Sequence, residues 1–253
     1  MTLKQTDFLG SLAKGLSVIE AFTAERPKLT IAEASAATGL DRATARRCLL
    51  TLAHLGYADS DGKNFTLTPR ILRLGATFLS VMPLARIVQP MLDRLSHEIG
   101  QSTSVSILDD CEIVYVARAA QHRLMSINLT AGSRLPAHCT SMGRVLLASK
   151  TVANIQILLM KRPPVKLTPK TVIDPEKIMQ LIGRAKKNGY AIVDQEIEIG
   201  LCSIAVPLFD MRGRTIAALN VGVAALQDTP QRLSDLYLKK LLEVQQALRL
   251  LLA

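Results

Sequence analysis

Along the first eighty positions, apolar residues recur at helical spacing and then switch to alternation. In SLAKGLSVIEAF, Leu12, Leu16, Ile19 and Phe22 fall at i, i+4, i+7 and i+10, one stripe of a helix that Ser11 is placed to cap. After the breaker ERPKL, Thr30-Ile31-Ala32-Glu33 has the spacing of a capping box and opens a second helix. Thr38-Gly39-Leu40 must end it within ten residues, because Gly39 can take the left-handed conformation of a tight turn. Asp41 then caps a third helix, in which Ala45, Leu49, Leu52 and Leu55 form the core stripe. Small residues at Ala34 and Ser35 let the second and third helices cross closely, the pattern of a helix-turn-helix. From Tyr57 to Leu67 the period is two, with Phe65 and Leu67 inward and Asp61-Gly62 at the turn, which adds a hairpin wing.

Beyond the wing, Thr68-Pro69 suits a helix start, and Ile71, Leu74 and Phe78 share one stripe up to Met82-Pro83. A further helix is expected over Leu84–Ile99, bent at Pro90. The pattern then turns to strands: STSVSIL, EIVYVARA, SINLT, and later SIAVPLF and TIAALNVGV joined by the Asp210–Gly213 turn. GSRLPAHCTSMGRVLLAS is expected to turn from loop to helix, KIMQLIGRAKKNGYAIV to be a helix that ends at Gly189 and enters a strand, and a last helix to run from Pro230, where Leu233, Leu236, Leu241 and Leu248 make a broad apolar face. The expected architecture is therefore two-domain. A winged helix-turn-helix (1–68) leads through a linker helix (69–83) to an α+β domain (84–253) with helices packed on an antiparallel sheet. The run KRPPVKLTPK (161–170) reads as a solvated loop.

Charge sharpens this picture only locally. The formal net charge is +10, but residues 1–80 carry ten Lys+Arg against seven Asp+Glu, and the remainder 21 against 14, so the excess is spread along the chain. The third helix is different: after Asp41 it has no carboxylate until Asp59, and Arg46, Arg47, Ala43 and Leu50 project away from the core stripe. Guanidinium groups match guanine edges and phosphates, and short side chains let a helix backbone enter a major groove. Arg42, Ala43, Thr44, Arg46 and Arg47 are thus the candidate DNA contacts, with Lys63 at the wing tip as a phosphate contact.

The four cysteines are far apart and form no C-x-x-C pair, there is no phosphate loop and no G-x-S-x-G, and neither metal nor cofactor is expected. No run of about 18 apolar residues occurs, so no membrane partner and a cytoplasmic location are expected. Polar residues that interrupt the apolar second half, Arg134, His138, Cys139, Thr140, Ser141, Asp194, Glu196, Ser203 and Asn220, are the material of a small-molecule pocket. Arg134 could clamp a carboxylate in two parallel hydrogen bonds, and Ser141-Met142 open a helix whose free N–H groups favour an anion. His138 is either a cavity donor or a locally satisfied loop residue. Asp194 and Glu196 are expected to bond backbone amides or a base. His138-Cys139 with Asp194 invites a thiol-hydrolase reading, but neighbours on an extended chain point apart, so catalysis is not expected. A DNA-binding architectural protein without a ligand remains the other alternative.

LPAHCTSMGRVLLA (135–148) and YAIVDQEIEIGLCSIAVPLFD (190–210), behind a winged helix, resemble the IclR family of bacterial transcription regulators over essentially the whole chain. CTSMGRVLLA, TPKTVIDP, SIAVP and AALNVG, with SLAKGLSVIEAF and DRATARR, resemble the branch that controls protocatechuate, β-ketoadipate and 4-hydroxybenzoate catabolism. The resemblance implies a GAF-like effector domain, a homodimer or homotetramer, a palindromic double-stranded operator and a small carboxylate effector. It places that effector among Arg134, Leu135, His138, Cys139, Ser141, Met142, Asp194, Ser203 and Asn220. The match is loose at Cys202, where the branch has an arginine.

Overall fold

The computed structural model describes residues 7–23, 26–75, 83–121, 129–225 and 230–252. Contacts divide the chain into two units, 1–81 and 82–253.

In the first unit, α1 (Gly10–Glu20), α2 (Ile31–Thr38) and α3 (Arg42–His54) surround one small core, and β1 (Lys28–Thr30), β2 (Ala58–Ser60) and β3 (Asn64–Leu67) form an antiparallel sheet in the order β1-β3-β2. The capping box at α2 is present: Glu33 N–H donates to Thr30 Oγ1 (3.2 Å), and Thr30 N–H donates to the Glu33 carboxylate (2.8 Å). Gly39 ends α2 at φ 70°, and Asp41 Oδ1 accepts from Thr44 N–H at 2.8 Å to start α3. Four details depart from the sequence reading. Helix α1 begins at Gly10 with Leu9 in the cap position, so Ser11 lies inside the helix and caps nothing. Its buried residue is Val18, while Leu12 and Leu16 are exposed, because a short helix leaning on a small core buries only part of its stripe. Leu55 lies beyond the last turn of α3 and is exposed as well. Strand β1 also arises from the stretch taken as a breaker, since pairing with β3 supplies its backbone partners.

Where the linker helix is expected over 69–83, the Thr68 hydroxyl caps a 3-10 turn at Pro69–Ile71; residues 76–82, including Phe78, lie outside the described residues.

The second unit is built on a six-stranded antiparallel sheet in the order β6-β5-β4-β9-β8-β7, from β4 (Ser102–Asp109), β5 (Glu112–Ala119), β6 (Arg134–Pro136), β7 (Ala191–Asp194), β8 (Leu201–Phe209) and β9 (Thr215–Ala224). One face packs on α4 (Pro83–Ile99, with Pro90 inside it) and on the C-terminal helices, through Val105, Ile204, Leu219, Val221, Leu92 and Leu241. The other face packs on α5 (Ser141–Leu147), α6 (Val152–Lys161) and α7 (Pro175–Asn188), through Ile113, Ala205, Ala218, Met142, Ile155 and Ile178. Each fully buried aliphatic side chain contributes about 1.5–3 kcal/mol, and burial on both faces explains why β8 and β9 read as near-continuous apolar runs. The SINLT strand falls mostly on residues outside those described, and Leu129 and Thr130 are in no strand. The terminal helix is interrupted by a π-helical stretch at Ser234–Leu238, which leaves Leu236 exposed while Leu233, Leu241 and Leu248 are buried. Among the described residues, no helix is long and apolar enough to cross a membrane.

Candidate functional site

Helix α3 presents Arg42, Ala43, Arg46 and Arg47 to solvent, and Lys63 is exposed next to Gly62 at the turn of the β2–β3 hairpin. Thr44 is the exception among the six candidates. It is buried, its hydroxyl accepts from the Arg47 guanidinium at 3.3 Å, and it therefore holds a basic side chain instead of offering its own face to a partner. The turn that carries Lys63 is rigid: Asp61 accepts from Lys63 N–H (3.0 Å), Asn64 N–H (2.7 Å) and Asn64 Nδ2 (3.0 Å), and these bonds hold its carboxyl down at about 2. A helix with an unneutralised basic outer face, beside a stiff basic wing, is a surface for the sugar–phosphate backbone and a groove.

In the second unit, strand register brings polar residues together on the α5 side of the sheet. Asn220 is paired with Ser104, and Ser104 with Arg118, so β9, β4 and β5 contribute one polar row. Two residues along, Ser203, Gly222 and Ser102 form a second row on the same face. These residues floor a cleft of about 550 Å³ including its open mouth, walled by Leu135, Tyr115, Met142, Val193, Ile197 and Leu201. Gly222 leaves the floor low: the nearest atom to a Cβ built there is a Leu201 methyl at 4.0 Å. Ser141, at the start of α5, meets Ser203 across the cleft at 2.9 Å.

Two groups in this cleft stand apart electrostatically. Arg118, half-buried, donates to Ser104 Oγ at 3.1 Å and has no carboxylate partner among the described residues. Asn220 is buried, and its Oδ1 accepts from no donor among the described residues. Tyr115 is held neutral, its phenol pushed up to about 12 by burial.

Of the pocket candidates, Leu135, Ser141, Met142, Ser203 and Asn220 line this cleft, and Arg134, His138, Cys139 and Asp194 do not. Arg134 sits at the sheet edge, bound to Asp109 (2.6 Å) and Glu112 (2.7 Å). Asp194 is engaged by Lys170 (2.6 Å) and by the Cys202 thiol (3.0 Å). Glu196 forms a buried pair with Arg144 (2.7 Å) and accepts from Val172 N–H (3.0 Å). Cys139 is fully buried, and burial followed by the nearby Glu196 charge pushes its thiol up to about 12, the wrong direction for a nucleophile. His138 lies beyond hydrogen-bond reach of that thiol, whose contact is Pro136 O at 3.9 Å. The sequence reading missed Arg118, Ser102, Ser104 and Tyr115. Arg118 was legible as the one basic residue in EIVYVARA, but only the register shows that it shares a face with Asn220.

Such a basic winged head, in the same chain as a domain that carries a polar-floored apolar cleft, defines the class of ligand-responsive DNA-binding regulators. The chain belongs to the IclR family: the model for the IclR helix-turn-helix domain matches residues 11–62, and that for the bacterial transcriptional regulator IclR C-terminal region matches residues 76–249. It is similar to the Pca regulon regulatory protein of Pseudomonas putida, with 44% identity over 93% of this chain and 81% of that protein. It is also similar to the p-hydroxybenzoate hydroxylase transcriptional activator of Acinetobacter baylyi, with 36% identity over 98% of this chain and 93% of that one. Among solved structures, an IclR homologue from Microbacterium hydrocarbonoxydans complexed with 4-hydroxybenzoate superposes with a TM-score of 0.75 at 25% identity, covering 94% of this chain and 99% of that one.

Proposed function

We propose that this protein regulates genes of aromatic-acid catabolism in response to a hydroxylated aromatic carboxylate bound in the cleft over β4, β5 and β9. The observation that carries the reading is Arg118, a half-buried guanidinium with no carboxylate partner among the described residues, at one end of a polar row on the cleft floor whose other end is Asn220, an acceptor that no described residue satisfies. A carboxylate completes Arg118 in a charge-assisted pair. A ring hydroxyl donates to Asn220 Oδ1, and Leu135, Met142 and Ile197 cover the ring. The relatives named for Pca and p-hydroxybenzoate regulation, and the structural relative holding 4-hydroxybenzoate, support the same ligand class.

On the DNA, Arg42, Arg46 and Arg47 serve bases and phosphates of a half-site and Lys63 the flanking backbone; a homodimer or homotetramer on a palindromic operator places one such head per half-site.

The test is calorimetric titration of the full chain with 4-hydroxybenzoate, protocatechuate and β-ketoadipate, alongside anisotropy of its upstream DNA. One aromatic acid is expected to bind and to alter specific DNA binding, and Arg118→Ala to weaken that acid at least tenfold while DNA affinity without acid is kept. Indifference to all three acids, or full binding by Arg118→Ala, overturns the reading.

A further inference from the structure

A second cavity lies on the other side of the 134–140 segment, between that segment, α6 and the loop that follows it. It measures about 720 Å³ including its mouth, and Leu147, Leu158, Leu159 and Val165 make its walls apolar. His138, turned away from the first cleft, lines this one. His138 is more than nine-tenths buried, the backbone of Val165 hydrogen-bonds the ring, and Nε2 has no partner among the described residues. Arg144 is packed beside the same turn, its Nε donating to His138 O at 3.0 Å, and its buried positive charge opposes protonation of the ring. Nε2 is therefore a lone-pair acceptor inside an apolar enclosure, and an acceptor so placed calls for a donor. The arginines at the rim are already matched by carboxylates: Arg162 and Arg134 share Glu112, each at 2.7 Å, and Arg134 also holds Asp109 at 2.6 Å.

We infer that this cavity is a second small-molecule site, which takes a neutral phenol with its hydroxyl donating to His138 Nε2 and its ring against Leu147, Leu158 and Val165. A phenol supplies a strong O–H donor on a flat apolar body, the two properties that the cavity asks for, while a carboxylate would bring an uncompensated charge against an acceptor. The site has a physical route to the first cleft. The loop closing it continues to Thr168, which donates to Gln195 O at 2.7 Å, and to Lys170, which holds Asp194 at 2.6 Å, directly beside Val193 and Ile197 of the first cleft. The inference stands independently of which acid occupies that cleft.

Fluorine NMR of 4-fluorophenol with the full chain, in the presence of excess 4-hydroxybenzoate, tests it. Saturable binding is expected, at least tenfold tighter than that of fluorobenzene, which lacks the donor. Leu158→Trp, which fills the cavity from a half-buried helix position, is expected to weaken 4-fluorophenol at least tenfold. His138→Leu should do the same, and His138→Gln, which keeps an acceptor, should lose less. Gly222→Leu, which fills the first cleft, should leave the binding unchanged. No saturable binding by the wild type, unchanged binding by Leu158→Trp, or loss of binding in Gly222→Leu would each overturn the assignment, the last by moving the phenol to the first cleft.

Discussion

Gly143 shows how tightly the segment shared by the two cavities is built. A Cβ at this position would lie 2.1 Å from the Ala137 carbonyl oxygen and 2.4 Å from its Cα, both backbone atoms that cannot rotate away. Its N–H meanwhile donates to the Thr140 hydroxyl at 3.1 Å, which caps α5. Gly143→Ala is expected to destabilise the C-terminal unit by on the order of 3 kcal/mol, the upper end for overpacking a dense site; an unchanged urea midpoint would contradict the contact. His138 makes a pH prediction at the same scale. Burial, and then the Arg144 charge, bring its folded pKa down from 6.5 to about 4, so between these values the unfolded chain binds the proton more readily. Stability is therefore expected to fall as pH drops from about 6.5 toward about 4, and to level off below that. In His138→Phe this part of the pH dependence should vanish from urea titrations; its persistence would place the titration elsewhere.

At the scale of elements, helix α3 separates its two jobs by face. Ala45, Leu49 and Leu52 are buried in the small core, while Arg46 and Arg47 are exposed. Removing the guanidinium groups should therefore leave the fold intact. Arg46→Ala with Arg47→Ala is expected to lower operator affinity by about 1–3 kcal/mol per base contact, or to reduce the slope of log affinity against log salt by roughly one per phosphate contact. Loss of helical circular dichroism in the double variant would instead make these side chains structural. The elements around the cleft are joined differently, by the buried Arg144–Glu196 pair and the Thr168 and Lys170 bonds, which tie α5 and the post-α6 loop to the turn after β7. The stretch KRPPVKLTPK is thus more than a solvated connection, since Thr168 is buried within it.

For the whole molecule, the question is how a ligand in one unit changes DNA binding in the other. An effector shifts DNA affinity only by its differential affinity for the two conformations, typically ~1–3 kcal/mol or roughly 5–150-fold. Linkage makes the effect reciprocal: operator DNA must change effector affinity by the same factor. Titrating the aromatic acid into the protein with and without saturating operator should return that same ratio; unequal factors would mean that oligomerisation or a further binding step enters the cycle.

Much of this molecule was decided locally. Caps, turns and periodicity are short-range properties, so Thr30, Glu33, Gly39 and Asp41 specify the helix-turn-helix from neighbours within four residues, and the hairpins at Asp61-Gly62 and Asp210–Gly213 are legible for the same reason. The basic outer face of α3 follows from helical phase alone, and the matching stretches at 135–148 and 190–210 carried the family. The strands β1 and β6 were not legible, because three-residue strands exist only through partners far along the chain. Membership of the cleft was not legible either. Arg134 and Arg118 are both arginines among apolar residues, and one ends in an ion pair at the sheet edge while the other faces Asn220 across β4. The register of β5, β4 and β9 makes that distinction, and register is set by the packing of two buried sheet faces, a property no local stretch of sequence contains.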